Sequence, residues 1–387
     1  MRCISGGTVG DVPQVVTARH TVSAMHRRLT CLAVIALLTP LAACSGDPRP
    51  AASVSAAPTS ATATPTPTPD VVVTGGDAKL AAVVQKLYAG RKGVSAKATT
   101  GTWKKESVAV VTSGDDVTLA VGPQWKVVGG WWPSLGKATP RLGEGPRFVL
   151  VIGSDARPDE KLAGSRGDTL QVLGIDGKGG GGVMGIPRDT WTTMPGGGSA
   201  KINAAFSRGG GAAQVAAVRR VTGLPVEGYV ATGFKGFQAI VNQSGGLPIA
   251  VAKKVVFLHK LTIPAGKQEL TGKEALAYAR ERKSLPNGDF GRSAHQGEIL
   301  LAAAVAARLS GIGIVPKEMS VVSANALTDL TAEDALTFVA SFYRLDPTKV
   351  GRAVAVGSIG TSSDGQSIVK VNDSARRVFA RFRDGRL

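Results

Sequence analysis

The chain has 387 residues, of which 43% are hydrophobic and 19% charged, with a formal net charge of +18 at pH 7 and three cysteines. That is long enough to bury one large core plus a small one, so stability has to come mainly from burial rather than from disulfides. A basic surplus this large favours anionic partners: nucleic acid, anionic lipid head groups or phosphate-rich polymers.

Residues 1–44 read as an export signal. Met25-His26-Arg27-Arg28 is basic, Leu29 to Leu38 is an apolar run too short to span a bilayer comfortably, and Leu41-Ala42-Ala43-Cys44 follows. This is similar to a bacterial lipoprotein signal, in which Cys44 would be lipidated and hold the mature chain outside the cytoplasmic membrane. An ordinary cleaved signal with Cys44 incidental is the alternative, and Met25 is a candidate start. Residues 1–44 carry four bases and one acid, so the remainder keeps 42 bases against 27 acids, a formal +15. An exported body does not meet the chromosome, which argues against a nucleic-acid partner.

Residues 45–69 are rich in Pro, Thr, Ala and Ser and read as a tether extending about 3.1 Å per residue. Residues 70–146 read as a small accessory region. Asp77 is placed to cap a helix over Ala78–Ala89, and Ser107–Thr112 can pair with Val117–Val121 as a hairpin. Trp125, Trp131 and Trp132 fit core packing, with a sugar-stacking platform as the alternative.

From Phe148 the pattern changes. The apolar run Phe148–Ile152 ends in Gly153-Ser154-Asp155-Ala156-Arg157. A second, Leu170–Ile175, follows Arg166-Gly167-Asp168-Thr169, and a third, from Val183, ends in Ile186-Pro187-Arg188-Asp189. Three strand-like segments therefore deliver acids and bases at their ends, where ligands gather in α/β folds. The glycines around Lys178–Gly182 read as a flexible turn. Lys201-Ile202-Asn203-Ala204-Ala205 opens a short helix, Gln214–Val221 suggests another and Phe234–Gln243 a third, while Leu247–Val251 fits an edge strand that tolerates Pro248. Gly272–Tyr278 begins a helix. Arg280 and Arg282 share a face only in extended chain, so one shared site predicts that this helix stops near Tyr278. A turn at Asn287–Arg292 leads into an amphipathic helix carrying His295 and Gln296. Beyond Leu309, Thr331 is placed to cap a helix through Ser341, Ala353–Val356 fits a short strand and Ser374–Phe382 a last helix. Residues 311–387 either complete the sheet or form a separate unit.

Six ordered motifs, Gly153–Arg157, Arg166–Thr169, Ile186–Asp189, Lys201–Ala205, Tyr278–Arg282 and Asp289–Arg292 with Gln296, resemble those of the LytR-CpsA-Psr family over residues 147–310. The resemblance implies an α/β fold, a mixed central sheet flanked by helices as an α-β-α sandwich. It implies an extracytoplasmic, membrane-attached phosphotransferase that moves a glycopolymer from a polyprenyl diphosphate carrier to peptidoglycan. It also implies that Asp155 and Asp168 hold Mg2+, and that Arg188, Lys201, Arg280, Arg282, Arg292 and Gln296 bind the diphosphate or its surroundings. Asp289 falls on a site position, with general base as one role, alongside Arg280 and Arg282 as catalytic candidates. Phe206, Phe234, Phe237 and the Leu300–Val305 stretch are candidates for lining a cleft for the prenyl chain.

The chemistry is compatible with this reading. A transferring phosphoryl group spreads negative charge over its oxygens and asks for cations and alignment. Guanidinium groups match phosphate with paired hydrogen bonds. Blander readings remain: the two aspartates can cap turns or pair with Arg157 and Arg166, and Arg280 and Arg282 can be a solvated helix end. Two positions depart from the family, Gly167 in place of serine and His295 in place of arginine, the latter suggesting weaker or pH-dependent diphosphate binding. A pyrophosphatase using water as acceptor and a non-catalytic wall-binding lipoprotein are the competing functions.

Overall fold

The computed structural model describes residues 70–387 apart from Pro158, Ala163, His259, Lys283, Ser284 and Pro286. The expected signal segment with Cys44 and the 45–69 tether lie outside the described residues.

The chain first builds a sheet of its own. Strands β1 (Val71–Thr74), β2 (Val94–Trp103), β3 (Glu106–Ser113), β4 (Asp116–Val121), β5 (Lys126–Trp132) and β6 (Lys137–Arg141) lie in that order across it, with helix α1 (Ala78–Leu87) between β1 and β2. Asp77 starts α1 by accepting the Leu80 N–H at 2.8 Å, satisfying a donor that the first helical turn leaves over. The hairpin read from the sequence is the antiparallel β3–β4 pair, closed at Ser113↔Asp116. Trp125, Trp131 and Trp132 are buried, each filling core space, which settles them as packing residues rather than an exposed sugar platform.

The second sheet follows. Its strands β7 (Arg147–Ser154), β8 (Gly167–Ile175) and β9 (Gly181–Gly185) pair antiparallel in sequence order. The glycines expected to form a flexible turn are therefore partly strand: Gly181 and Gly182 pair with Ile175 and Gly174. A Cβ on Gly182 would sit 3.0 Å from both Leu387 and Phe382, so the bare backbone there lets the C-terminus pack against the sheet. A small hairpin comes next, β10 (Trp191–Thr193) with β11 (Ser199–Lys201). Lys201 thus lies in a strand rather than opening a helix, because its backbone pairs with Trp191. Helix α2 (Ala204–Thr222) joins the two helices expected separately and kinks at Gly209 and Gly210, whose backbones are not helical.

Strand β12 (Val226–Thr232) runs parallel to β7 and leads into α3 (Phe234–Gln243). Two hairpins then alternate: β13 (Leu247–Val251) with β16 (Gly266–Leu270), enclosing β14 (Val255–Phe257) with β15 (Leu261–Ile263). Helix α4 (Gly272–Arg280) starts with a capping box, Thr271 and Glu274 each serving the other's backbone N–H. It runs two residues beyond the expected stop at Tyr278. Helices α5 (Asp289–Leu309) and α6 (Val315–Asn325) follow, then β17 (Leu327–Thr328), α7 (Ala332–Phe342), β18 (Val350–Val354), the hairpin of β19 (Ser358–Thr361) with β20 (Ser367–Lys370), and α8 (Asp373–Arg381). β18 begins three residues earlier than the strand expected from Ala353. Among the described residues no single helix is long and apolar enough to cross a membrane.

The central sheet has the order β17-β12-β7-β8-β9-β18, with parallel and antiparallel pairs mixed. Alternation along β7 sorts its two faces. Phe148, Leu150 and Ile152 pack with Leu170, Val172 and Met184 against α2 and α8. Val149 points the other way, into a core shared with Val108 and Leu119 of the first sheet and Leu336 and Phe338 of α7. Residues 311–387 complete this sheet, since β17 and β18 are its two edges. Among the described residues the apolar cores are drawn from Val71 to Leu387, so this part of the chain carries cores of its own.

The first sheet meets α6 at very close range. A Cβ on Gly101 would lie 2.0 Å from the Pro316 carbonyl oxygen, and beside it the Thr102 N–H donates to Ser320 Oγ at 2.7 Å. Gly101→Ala is therefore expected to cost about 2–3 kcal/mol, because neither strand nor helix backbone can yield cheaply. Urea titration checks this, with an unchanged midpoint as the contrary result.

Candidate active site

Because β8 runs against β7, β9 and β12, the ends of those three strands and the start of β8 open at one edge of the sheet. A cavity of about 1060 Å³ lies there, walled further by α3, α4, α5 and the β14–β15 hairpin. Its lining divides by chemistry. Arg157, Arg188, Arg280, Arg282 and Arg292 gather with Asp155 and Asp168, and Phe234, Phe237, Val256, Phe257, Leu276 and Leu300 supply apolar wall.

Local geometry explains how the charges are held. Asp155 follows directly on β7, and its Oδ1 accepts the Arg166 N–H at 2.8 Å. Asp168, on β8, is ion-paired to Arg188 through one oxygen and accepts from Asn203 Nδ2 at 3.0 Å through the other. Arg188 also faces Asp289 Oδ1 at 3.8 Å and Asp189 at 4.0 Å. Burial works against the charge of Arg188, yet Asp168, Asp289 and Asp189 outweigh it and raise its pKa above the ordinary value. Arg292 is buried and its pKa is lowered, chiefly by that burial, with Asp289 at 2.5 Å opposing the shift and Arg188 adding to it. Arg280 is lowered too, by burial and then by Arg157. Its guanidinium sits 4.4 Å from the Phe234 ring centre and 5.4 Å from that of Phe257. Like charges crowded in this way are relieved by an anion.

Asp155, Asp168, Arg188, Arg280, Arg282, Arg292 and Gln296 all line the cavity. Arg280 closes α4 and Arg282 lies past its end, the Glu281 backbone between them being extended (ψ 135°), so the helix stop that the sequence required is met two residues later than expected. The Gln296 amide also donates to the Ala279 carbonyl at 3.2 Å, tying α5 to the end of α4 that carries Arg280. Two expected site residues are not among the lining residues. Lys201 Nζ pairs with Asp189 at 3.1 Å, one step back from Arg188. Asp289 lies against Arg292 and Arg188. Phe206, expected in the apolar wall, stands in the first turn of α2 and is buried in the core between that helix and the central sheet, whereas Phe234, Phe237 and Leu300 do line the cavity.

The sequence reading gives no ligand-binding role to Asn203, Arg157 or Phe257. Asn203 and Arg157 stand inside motifs already noted, and position within a motif was their only signal. Phe257 had none, because its stacking partner Arg280 is distant in sequence. Gly167 is the first residue of β8, and a Cβ there would lie 3.0 Å from Gln214 Oε1 and 3.2 Å from Ile152 Cγ2, so serine would need its neighbours to yield.

His295 does not line the cavity. Its ring stacks on Tyr278 with centres 4.3 Å apart, and among the described residues its buried Nδ1 has no hydrogen-bond partner. Its pKa is lowered from 6.5 mainly by burial, against the pull of Glu298 and the Tyr278 backbone, with Arg352 adding to the depression. The unfolded chain therefore binds the proton more readily, and stability falls as pH drops from about 6.5 through the lower folded value. Thermal melts between pH 7.5 and 5 are expected to fall more steeply for the native chain than for His295→Gln. Equal slopes would contradict this.

A mixed sheet whose strand ends meet an arginine cluster beside an aromatic wall defines a receptor for an amphipathic anion. The chain belongs to the LytR_cpsA_psr family, whose profile matches residues 113–380. A polyisoprenyl-teichoic acid–peptidoglycan teichoic acid transferase TagU from Bacillus cereus is 34% identical over 195 residues, which is 49% of this chain and 62% of that protein. The namesake from Enterococcus faecalis is 30% identical over 234 residues, covering 59% of this chain and 75% of that one. The match thus spans less than two thirds of the Bacillus cereus relative. The crystal structure of Bacillus subtilis TagV superposes with a TM-score of 0.53 at 27% identity, covering 62% of this chain and 98% of the other.

Proposed function

We propose that this chain is a phosphotransferase that moves a glycopolymer phosphate from a polyprenyl diphosphate carrier to peptidoglycan, outside the cytoplasmic membrane and anchored there through lipidated Cys44. The observation that carries the reading is the two-part cavity, since a prenyl diphosphate has the same two parts: an apolar chain for the Phe234, Phe237 and Leu300 wall and a dianionic head for the arginines. The names of the Bacillus and Enterococcus relatives support the same reaction class.

Phosphoryl transfer asks the protein for cations and alignment more than for a covalent partner. Arg280, Arg282 and Arg292 bind the diphosphate oxygens, and Gln296 keeps the end of α4 in register with them. Arg188 and Asn203 orient Asp168. Asp289 holds Arg188 and Arg292 in place, and we assign it that positioning role rather than removal of the acceptor's proton. Asp155 and Asp168 fit a Mg2+ site: two carboxylates in the cavity that holds the arginines, for an ion that takes one or two carboxylates with phosphate oxygens and water. When bound, Mg2+ would draw off charge developing on the phosphate.

The test mixes the chain from Asp70 onward with Mg2+, a polyprenyl-diphosphate-linked oligosaccharide and peptidoglycan fragments, and follows products by mass spectrometry beside an Arg280→Ala control. Sugar phosphate joined to peptidoglycan and lost in the control is the expected outcome. Released phosphate products alone would make the protein a pyrophosphatase, and tight binding without turnover a wall-binding lipoprotein.

A further inference from the structure

From Gly228 to Gln268 the chain contains no Asp or Glu, but five lysines: Lys235, Lys253, Lys254, Lys260 and Lys267. Three of these, Lys253, Lys254 and Lys260, flank the β14–β15 hairpin and are exposed. The hairpin itself alternates. Val255 and Ile263 turn into the core beneath, while Val256 is 42% exposed and Leu258, at the tip, 57%. Leu258 has a φ of +50°, a conformation that bulky side chains rarely adopt. A glycine or asparagine would turn the chain there at lower cost, and Leu258 gains little burial, so neither the turn nor the core explains a leucine at this position. Val256, Phe257 and Leu258 are also wall residues of the cavity, and Phe257 lies against Arg280.

We propose that this hairpin is a membrane-contact element: Val256 and Leu258 enter the interface of an anionic phospholipid bilayer while Lys253, Lys254 and Lys260 pair with its head groups. The inference deepens the transferase reading and rests on it. An apolar tip ringed by cations and free of acids complements a negatively charged lipid surface, where each lysine adds attraction and each buried aliphatic group adds hydrophobic transfer. A carrier lipid leaving the bilayer at this hairpin would meet the apolar wall first and Arg280 next, without its prenyl chain crossing open water. The contact therefore joins the mouth of the cavity to the surface in which such a carrier resides.

The experiment is flotation of the chain from Asp70 onward, which carries every core found among the described residues and lacks Cys44, with vesicles of phosphatidylcholine alone or mixed with phosphatidylglycerol. Binding is expected to the mixed vesicles and to weaken with salt. Replacing Lys253, Lys254 and Lys260 by Gln together is expected to lower partitioning on the order of a hundredfold, with turnover of a short-chain substrate dispersed in detergent unchanged. Leu258→Asp, at a separate exposed position, is expected to lower partitioning at least tenfold. Absence of binding by the native chain, or binding that survives either set of changes, overturns the proposal. Flotation needs no turnover, so a chain that binds vesicles by this hairpin yet transfers nothing refutes the transferase reading alone.

Discussion

Arg147→Ala is expected to lower the unfolding free energy by about 3 kcal/mol, the low end for removing one member of a buried ion pair. Arg147 stands at the start of β7 with a nearly buried side chain, and its guanidinium uses all three nitrogens. Nε and Nη2 hold the Glu227 carboxylate at 2.8–3.1 Å, Nη1 donates to the Leu142 carbonyl at 3.1 Å and to Thr337 Oγ1 at 3.0 Å, and Nη2 reaches the Asp334 carbonyl at 3.2 Å. The side chain thus ties the segment entering the central sheet to β12 and α7. Alanine would leave Glu227 without its cation and take from the Leu142 carbonyl the donor that Arg147 supplies, while the Asp334 carbonyl keeps Thr337 Oγ1. Denaturant unfolding measures the loss, and Arg147→Ala combined with Glu227→Gln is expected to recover part of it, because the second change removes the stranded charge. A double variant no better than the single one would show that the packing of Arg147 over Phe338, not the ion pair, carries the effect.

Arg147 also marks what a sequence reading reaches and where it stops. The strands of the central sheet were legible because Phe148–Ile152 and Leu170–Ile175 are apolar runs of strand length, and the helices at Thr331 and Asp77 because their caps are written in the residues themselves. The site arginines were legible through ordered motifs. What was not legible depends on partners distant in sequence. Nothing near Gly181 and Gly182 says that they pair as a strand, since their reason is the C-terminal Leu387 and Phe382 packing over them. Phe206 reads as well as Phe234 for an apolar cleft, and only the packing of the first turn of α2 onto β8 puts it in the core. Asp289 reads as a free acid until Arg188 and Arg292 are seen to close on it.

Those closures make Arg188 the residue whose loss is expected to cost most in activity. One guanidinium pairs with Asp168, faces Asp289 and Asp189, and lines the cavity. Among the described residues its buried Nε has no hydrogen-bond partner of good geometry. Arg188→Ala would release Asp168, which the proposed mechanism needs oriented, and would withdraw a cation from the phosphate end, with an expected fall in kcat/KM of about 10²–10³-fold. Arg188→Lys is expected to lose most of the same factor, since an ammonium is a point charge and cannot hold Asp168 while facing Asp289. Lys201→Ala is the comparison that decides. Lys201 pairs with Asp189 and stands behind Arg188 rather than in the cavity wall, so its loss is expected to cost about tenfold or less, mostly in KM, by loosening Asp189. If Lys201→Ala matched Arg188→Ala in kcat, the phosphate would have to reach past the arginines, and the division of the cavity into a basic head site and an apolar tail site would be wrong.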